Sequence, residues 1–127
     1  MHDDGLEVRQ LAEDECWRRL SEGGVACLGL NAPGEAPVLR PVNFAVDGDV
    51  VIVRTGEGRI MDTARRCDAA SLLLHGIDKF EHTGWSVVAS GILHERESDT
   101  RHLALPLRPG SLMRHGDDLT PETTASP

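Results

Sequence analysis

Short apolar runs broken by glycine, proline and aspartate make up most of this chain, and a few stretches carry helical spacing instead. Ala12 to Ser21 (AEDECWRRLS) puts Cys16, Trp17 and Leu20 at i, i+1 and i+4, one narrow apolar stripe. Glu13, Asp14 and Glu15 in its first turn and Arg18 and Arg19 near its end complement the helix dipole, and Gly23 and Gly24 stop it. Val25–Leu30 is the first expected strand, followed by a NAPGEAP turn. Val38–Val46 is the second, although Pro41 cannot donate to a ladder and predicts an edge or a bulge. Asp47-Gly48-Asp49 predicts a hairpin turn, so Val50–Arg54 is a third strand, antiparallel to the second. Arg59–Cys67 reads as a helix of two to three turns with Ile60 and Ala64 on one face. Ala69–His75 suits a buried strand, 76–84 (GIDKFEHTG) a polar loop, and Trp85–His94 a long strand with Gly91 as a bulge. Ser98–Leu105 is read as a further helix, and the chain turns polar after Pro106.

Many short antiparallel strands with two or three short helices define a mainly β (α+β) chain, a small barrel or a sandwich. Five strands are few for closure within one chain, so an edge must be covered, and self-association is one way to cover it. The expected organisation is a flexible lead-in over 1–10, one domain over 11–105 and a polar, flexible tail over 106–127.

Composition narrows the function. At 127 residues the chain has room for one core, built mainly from Val, Leu, Ile and Ala because it has two Trp, two Phe and no Tyr. A net charge of −8 argues against nucleic-acid and anionic-membrane partners. No apolar run reaches the roughly 20 residues of a membrane span, and the polar N-terminus is not that of a signal peptide. Cys16, Cys27 and Cys67 are odd in number and widely spaced, which fits a reduced cytoplasmic setting. His75, His82 and His94 lack the close spacing of a metal site, so no metal is expected.

The stretch Val50–Arg66 carries the most chemistry. A strand ends in Arg54 and Thr55, a turn with Gly56 and Gly58 follows, and Arg59 opens a helix. Hydroxyl, flexible backbone and guanidinium meeting at a helix start suit a phosphate-bearing cofactor; an ordinary strand–turn–helix with solvated arginines is the alternative.

Three pieces occurring in order, ECWRRL before a glycine stop, RPVNFAVDGDVVIVRTGEG and GIDKFEHTGWSVVASG, resemble the pyridoxamine 5′-phosphate oxidase-like, FMN-binding split-barrel family over roughly residues 6–95. The resemblance implies a small antiparallel split β-barrel, a homodimer with its ligand sites at the subunit interface, and FMN as cofactor. It implies that Arg40, Pro41, Val42 and Asn43 run beside the isoalloxazine, that Arg54, Thr55, Gly58 and Arg59 hold the phosphate, and that Trp85 and Ser86 approach the ring. Many relatives carry a cation two residues after Gly58; here Ile60 stands there and Arg59 precedes it. The function expected is a flavin-dependent oxidoreductase acting on a small molecule, with no catalytic residue assigned. The alternatives are the same fold holding a deazaflavin or haem, and a split-barrel dimer with a weakened flavin site that binds or senses.

Overall fold

The computed structural model describes residues 8–9, 11–78, 80, 83–96 and 99–118, of which 8, 9, 78, 83, 99–101 and 107–118 are described by backbone alone. The elements run β1 (Val8–Arg9), α1 (Glu13–Ser21), β2 (Gly24–Leu30), β3 (Val38–Asp47), β4 (Val50–Arg54), α2 (Gly58–Arg65), β5 (Ala69–Asp78), β6 (Thr83–Ile92), β7 (His94–Arg96) and β8 (Asp99–Asp118). Every pairing between described strands is antiparallel.

The strands form a closed ring, β8-β4-β3-β2-β5-β6, because β8 returns to pair with β6. Of the helix expected over 98–105, residues 99–105 are therefore strand (98 lies outside the described residues), and residues 106–118, expected as tail, continue it. Leu103 and Leu105 point inward at 0% exposure, two residues apart, which a strand allows and a helix does not. The first part of β8 runs beside β4 (Arg54↔His102 to Val50↔Pro106) and the second beside β6 (Gly91↔Leu107 to Thr83↔Asp118). The ladder slips at Ala89/Gly91, the bulge expected at Gly91, and a Cβ there would collide with the Pro106 carbonyl. The chain thus supplies its own sixth barrel strand, and the edge expected to need a partner is covered internally.

Two boundaries also move. β5 runs on to Asp78 and β6 begins at Thr83, so the expected nine-residue loop is mostly hairpin; residues 79, 81 and 82 lie outside the description. Val8 and Arg9 of the expected lead-in pair with Asp117 and Gly116 of β8, while 1–7, 10 and 119–127 are outside the described residues.

The local devices match their chemistry. Gly23 (φ 69°) donates its N–H to Leu20 O at 3.0 Å and ends α1, and Gly48 (φ 64°) makes the β3–β4 turn. Pro41 sits in an interior strand, but β4 stops at Arg54 opposite Asn43, so no β4 ladder bond is asked of it. Along β3, Val38, Val42 and Phe44 enter the core and Leu39, Pro41 and Asn43 face outward. Cys16 and Leu20 of α1 and Ile60 and Ala64 of α2 close the barrel's apolar interior. On α1, Glu15 takes hydrogen bonds from Arg18 (2.6 and 3.0 Å) and lies 2.8 Å from Arg19 Nε. The Arg18 guanidinium holds the Glu15 carboxyl below the usual range, and Glu15 raises Arg18 in turn.

Candidate phosphate-binding corner

Asn43 and Arg54 are direct cross-strand partners, so their side chains leave the sheet on the same side. With Thr55 and Gly56 they line an open cavity of about 390 Å³. Arg54 ends β4 and is exposed; among the described residues no carboxylate lies within ion-pair distance of it, whereas each other arginine with a described side chain has one. An uncompensated guanidinium, an amide and a hydroxyl on one wall form a donor set for an anion. Thr55 Oγ1 accepts the Glu57 N–H at 3.0 Å, which leaves its own O–H to donate. A Cβ at Gly56 or Gly58 would meet nothing within 4 Å, so the turn's backbone lies open. The edge of β3 over residues 38–42 has no β4 partner, since the β3–β4 ladder runs from Asn43 to Asp47. This donor set fits a phosphorylated cofactor.

The other residues expected in the site are spread more widely. Gly58 starts α2, and Arg59, its second residue, is exposed and lies 3.6 Å from Glu35. It lines a different cavity, of about 320 Å³, with Glu35, Asp62, Thr63 and Arg66 over Leu30 and Val38. Ile60 is 1% exposed, which explains its identity: the position faces the core, and a cation there would have to be desolvated. Arg40 shares its side of β3 with the core residues; its guanidinium donates to Leu39 O at 3.0 Å and lies 3.7 Å from Glu57. Val42 is buried, so only its backbone can meet a ligand.

Trp85 and Ser86 point to opposite sides of β6. Trp85 packs on the core beside Gly76, where a Cβ would come within 2.7 Å of the indole, and Arg19 lies 4.2 Å from its ring centroid. Ser86 lies on the outward side with Val88, whose cross-strand row continues through Leu73 and Cys27 to Pro41. Around that row Val25 and Leu39 are each 63% exposed and Leu73 38%, an apolar outward face that runs up to Asn43.

Glu57 went unread in the sequence. It is the N-cap of α2, and an acid directly before a helical run was the available signal. Among the described residues no three His, Cys, Asp or Glu side chains group as a metal site; His82 lies outside them. Among the described residues no helix is long and apolar enough to cross a membrane.

The fold is that of split-barrel proteins. Solved structures with this architecture include a FAD-binding protein from Mycobacterium smegmatis (TM-score 0.74, 20% identity, covering 87% of this chain and 98% of that one). A FAD-binding protein from Mesorhizobium loti matches with TM-score 0.76 and 16% identity over 89% of this chain and 98% of that one. A FAD- and haem-binding protein from M. smegmatis matches with TM-score 0.63 and 14% identity over 97% and 80%. Among curated proteins none matches the chain. The family model of pyridoxamine 5′-phosphate oxidase matches residues 12–124, and the chain belongs to that family.

Proposed function

We propose that this protein is a flavin-nucleotide-binding oxidoreductase that works as a homodimer on a small molecule. The observation that carries the reading is Arg54, a cation with no carboxylate partner among the described residues, set beside Asn43 and Thr55 where the β3 edge is left open. Arg54 and the Thr55 hydroxyl would hold the phosphate; the Asn43 amide and the backbone of Arg40–Val42 would meet the flavin's polar edge. A bound flavin supplies hydride or electron transfer, and this chain's residues bind it, orient it and shield it from water. The outward apolar face of Val25, Leu39 and Leu73 is the surface we assign to the second subunit, where it would close the open side of the corner. Ser86, on the same outward side, would lie near that closed site, whereas the core-packed Trp85 would support it from behind.

FMN is the cofactor we favour, because one phosphate suits the one guanidinium that has no carboxylate partner among the described residues; structural neighbours that bind FAD make the dinucleotide the natural competitor. None of the three cysteines is in a disulfide, which suits the cytoplasm. A second reading, a dimer that binds or senses with a weakened flavin site, is favoured by Arg59, which is engaged with Glu35 and lines the other cavity.

Titration of the protein with FMN, FAD and riboflavin separates these. The proposal expects FMN to bind more tightly than riboflavin, and Arg54→Ala to remove most of that difference, about 1.5–3 kcal/mol for a charge-assisted contact. Arg59→Ala should cost less. Equal affinity of the intact protein for FMN and riboflavin would remove Arg54 from the phosphate role.

A further inference from the structure

The N-terminus of α2 is met by the chain's own carboxylate. Glu57 Oε1 accepts the Arg59 N–H at 2.8 Å. Glu57 Oε2 is buried, sits 3.7 Å from Arg40 Nε and takes no hydrogen bond among the described residues. The Glu57 N–H is tied to Thr55 Oγ1, so this carboxylate is held two residues from the hydroxyl that lines the cavity. Two groups that favour an anion, the helix start and the Arg40 guanidinium, therefore converge on a charge that belongs to the fold. A phosphate at Thr55 and Gly56 would have Arg54 in its favour and the charge of Glu57, the next residue along the chain, against it.

We propose that Glu57 sets the ligand preference of this corner: it lowers the affinity for a phosphate group relative to an uncharged hydroxyl, so that phosphorylated and unphosphorylated ligands are discriminated less sharply than Arg54 alone would allow. The choice of flavin as ligand rests on the function proposed above; the effect on anions does not. The carboxylate acts by like-charge repulsion and by occupying Arg40 and the Arg59 N–H. At an effective dielectric of about 20, removing one charge at a separation of about 10 Å corresponds to roughly a tenfold change in affinity.

Glu57→Gln and Glu57→Ser both keep a side-chain acceptor for the helix start, so the cap survives without the charge. FMN and riboflavin are titrated against the parent and both variants, with tryptophan fluorescence as readout. FMN affinity rises roughly tenfold in the variants, while riboflavin affinity changes less than about threefold. FMN affinity that is unchanged, falls, or rises in step with riboflavin overturns the proposal. If no form binds either flavin, the flavin reading fails, and inorganic phosphate against chloride at equal ionic strength decides the role of Glu57. Phosphate should then raise the melting temperature of Glu57→Gln more than that of the parent; equal responses overturn the proposal.

Discussion

Replacing Leu105 with Ala tests whether β8 belongs to the barrel. Leu105 is 0% exposed, pairs with Val51 and packs at the point where β8 passes from β4 to β6: a Cβ on Gly91 would lie 3.4 Å from Leu105 Cδ1. Truncation removes three buried carbons and leaves a cavity whose walls, Val51, Val53 and Leu103, sit on hydrogen-bonded strands and cannot easily collapse inward. The expected loss is about 3–5 kcal/mol. For 127 residues the unfolding entropy is about 0.27 kcal/mol/K, so the melting temperature should fall by about 10–20 °C. Urea denaturation followed by tryptophan fluorescence measures the loss, with an unchanged m-value showing that the native state keeps its compactness. Leu103→Ala is the internal control. In a strand both side chains point inward and the two variants cost alike; in a helix they would stand about 200° apart and only one could face the core. A large loss at one position with less than about 0.5 kcal/mol at the other would refute the strand assignment.

Three other outcomes follow from the same structure. Gly76→Ala forces a Cβ to within 2.7 Å of the Trp85 indole, so it should destabilise by about 1–3 kcal/mol and shift the tryptophan emission. Glu15, whose carboxyl is held low by Arg18, contributes stability that is present above its unfolded pKa and lost as pH falls through the lowered folded value. Glu15→Gln should therefore flatten the decline in melting temperature on acidification below about pH 4.5, and an unchanged acid limb would argue that the pair does nothing for folding. Leu39→Glu, on the exposed apolar face, should convert the proposed dimer to a monomer in light scattering while moving protomer stability by less than about 0.5 kcal/mol; a dimer that persists would place the interface elsewhere.

The elements whose signals were local could be read from the sequence. The Asp47-Gly48 hairpin, the β4 strand ending at Arg54, the α1 helix with its glycine stop and the Gly91 bulge all rest on residues within a few positions of one another. β8 could not be read that way. Its second half gains its structure from pairing with β6, 16 to 35 residues earlier in the chain, and the residues after Pro106 read as polar. Leu103 and Leu105 did carry a period of two, a signal too short to outweigh the flanking polar residues. In the site, the Arg54–Thr55–Gly56 corner was visible because a strand end, a hydroxyl and a glycine are consecutive. The separation of Arg59 from that corner was not, because one residue of helical rotation decides which cavity a side chain enters. Glu57 escaped notice because its role lies in capping geometry.

Whether this corner grips a flavin's phosphate at a subunit seam is decided by native mass spectrometry of the protein incubated with FMN. The expected species is a dimer carrying two FMN molecules, with Arg54→Ala yielding the same dimer largely unloaded. A monomer, or a dimer with no FMN at saturating concentration, would contradict it.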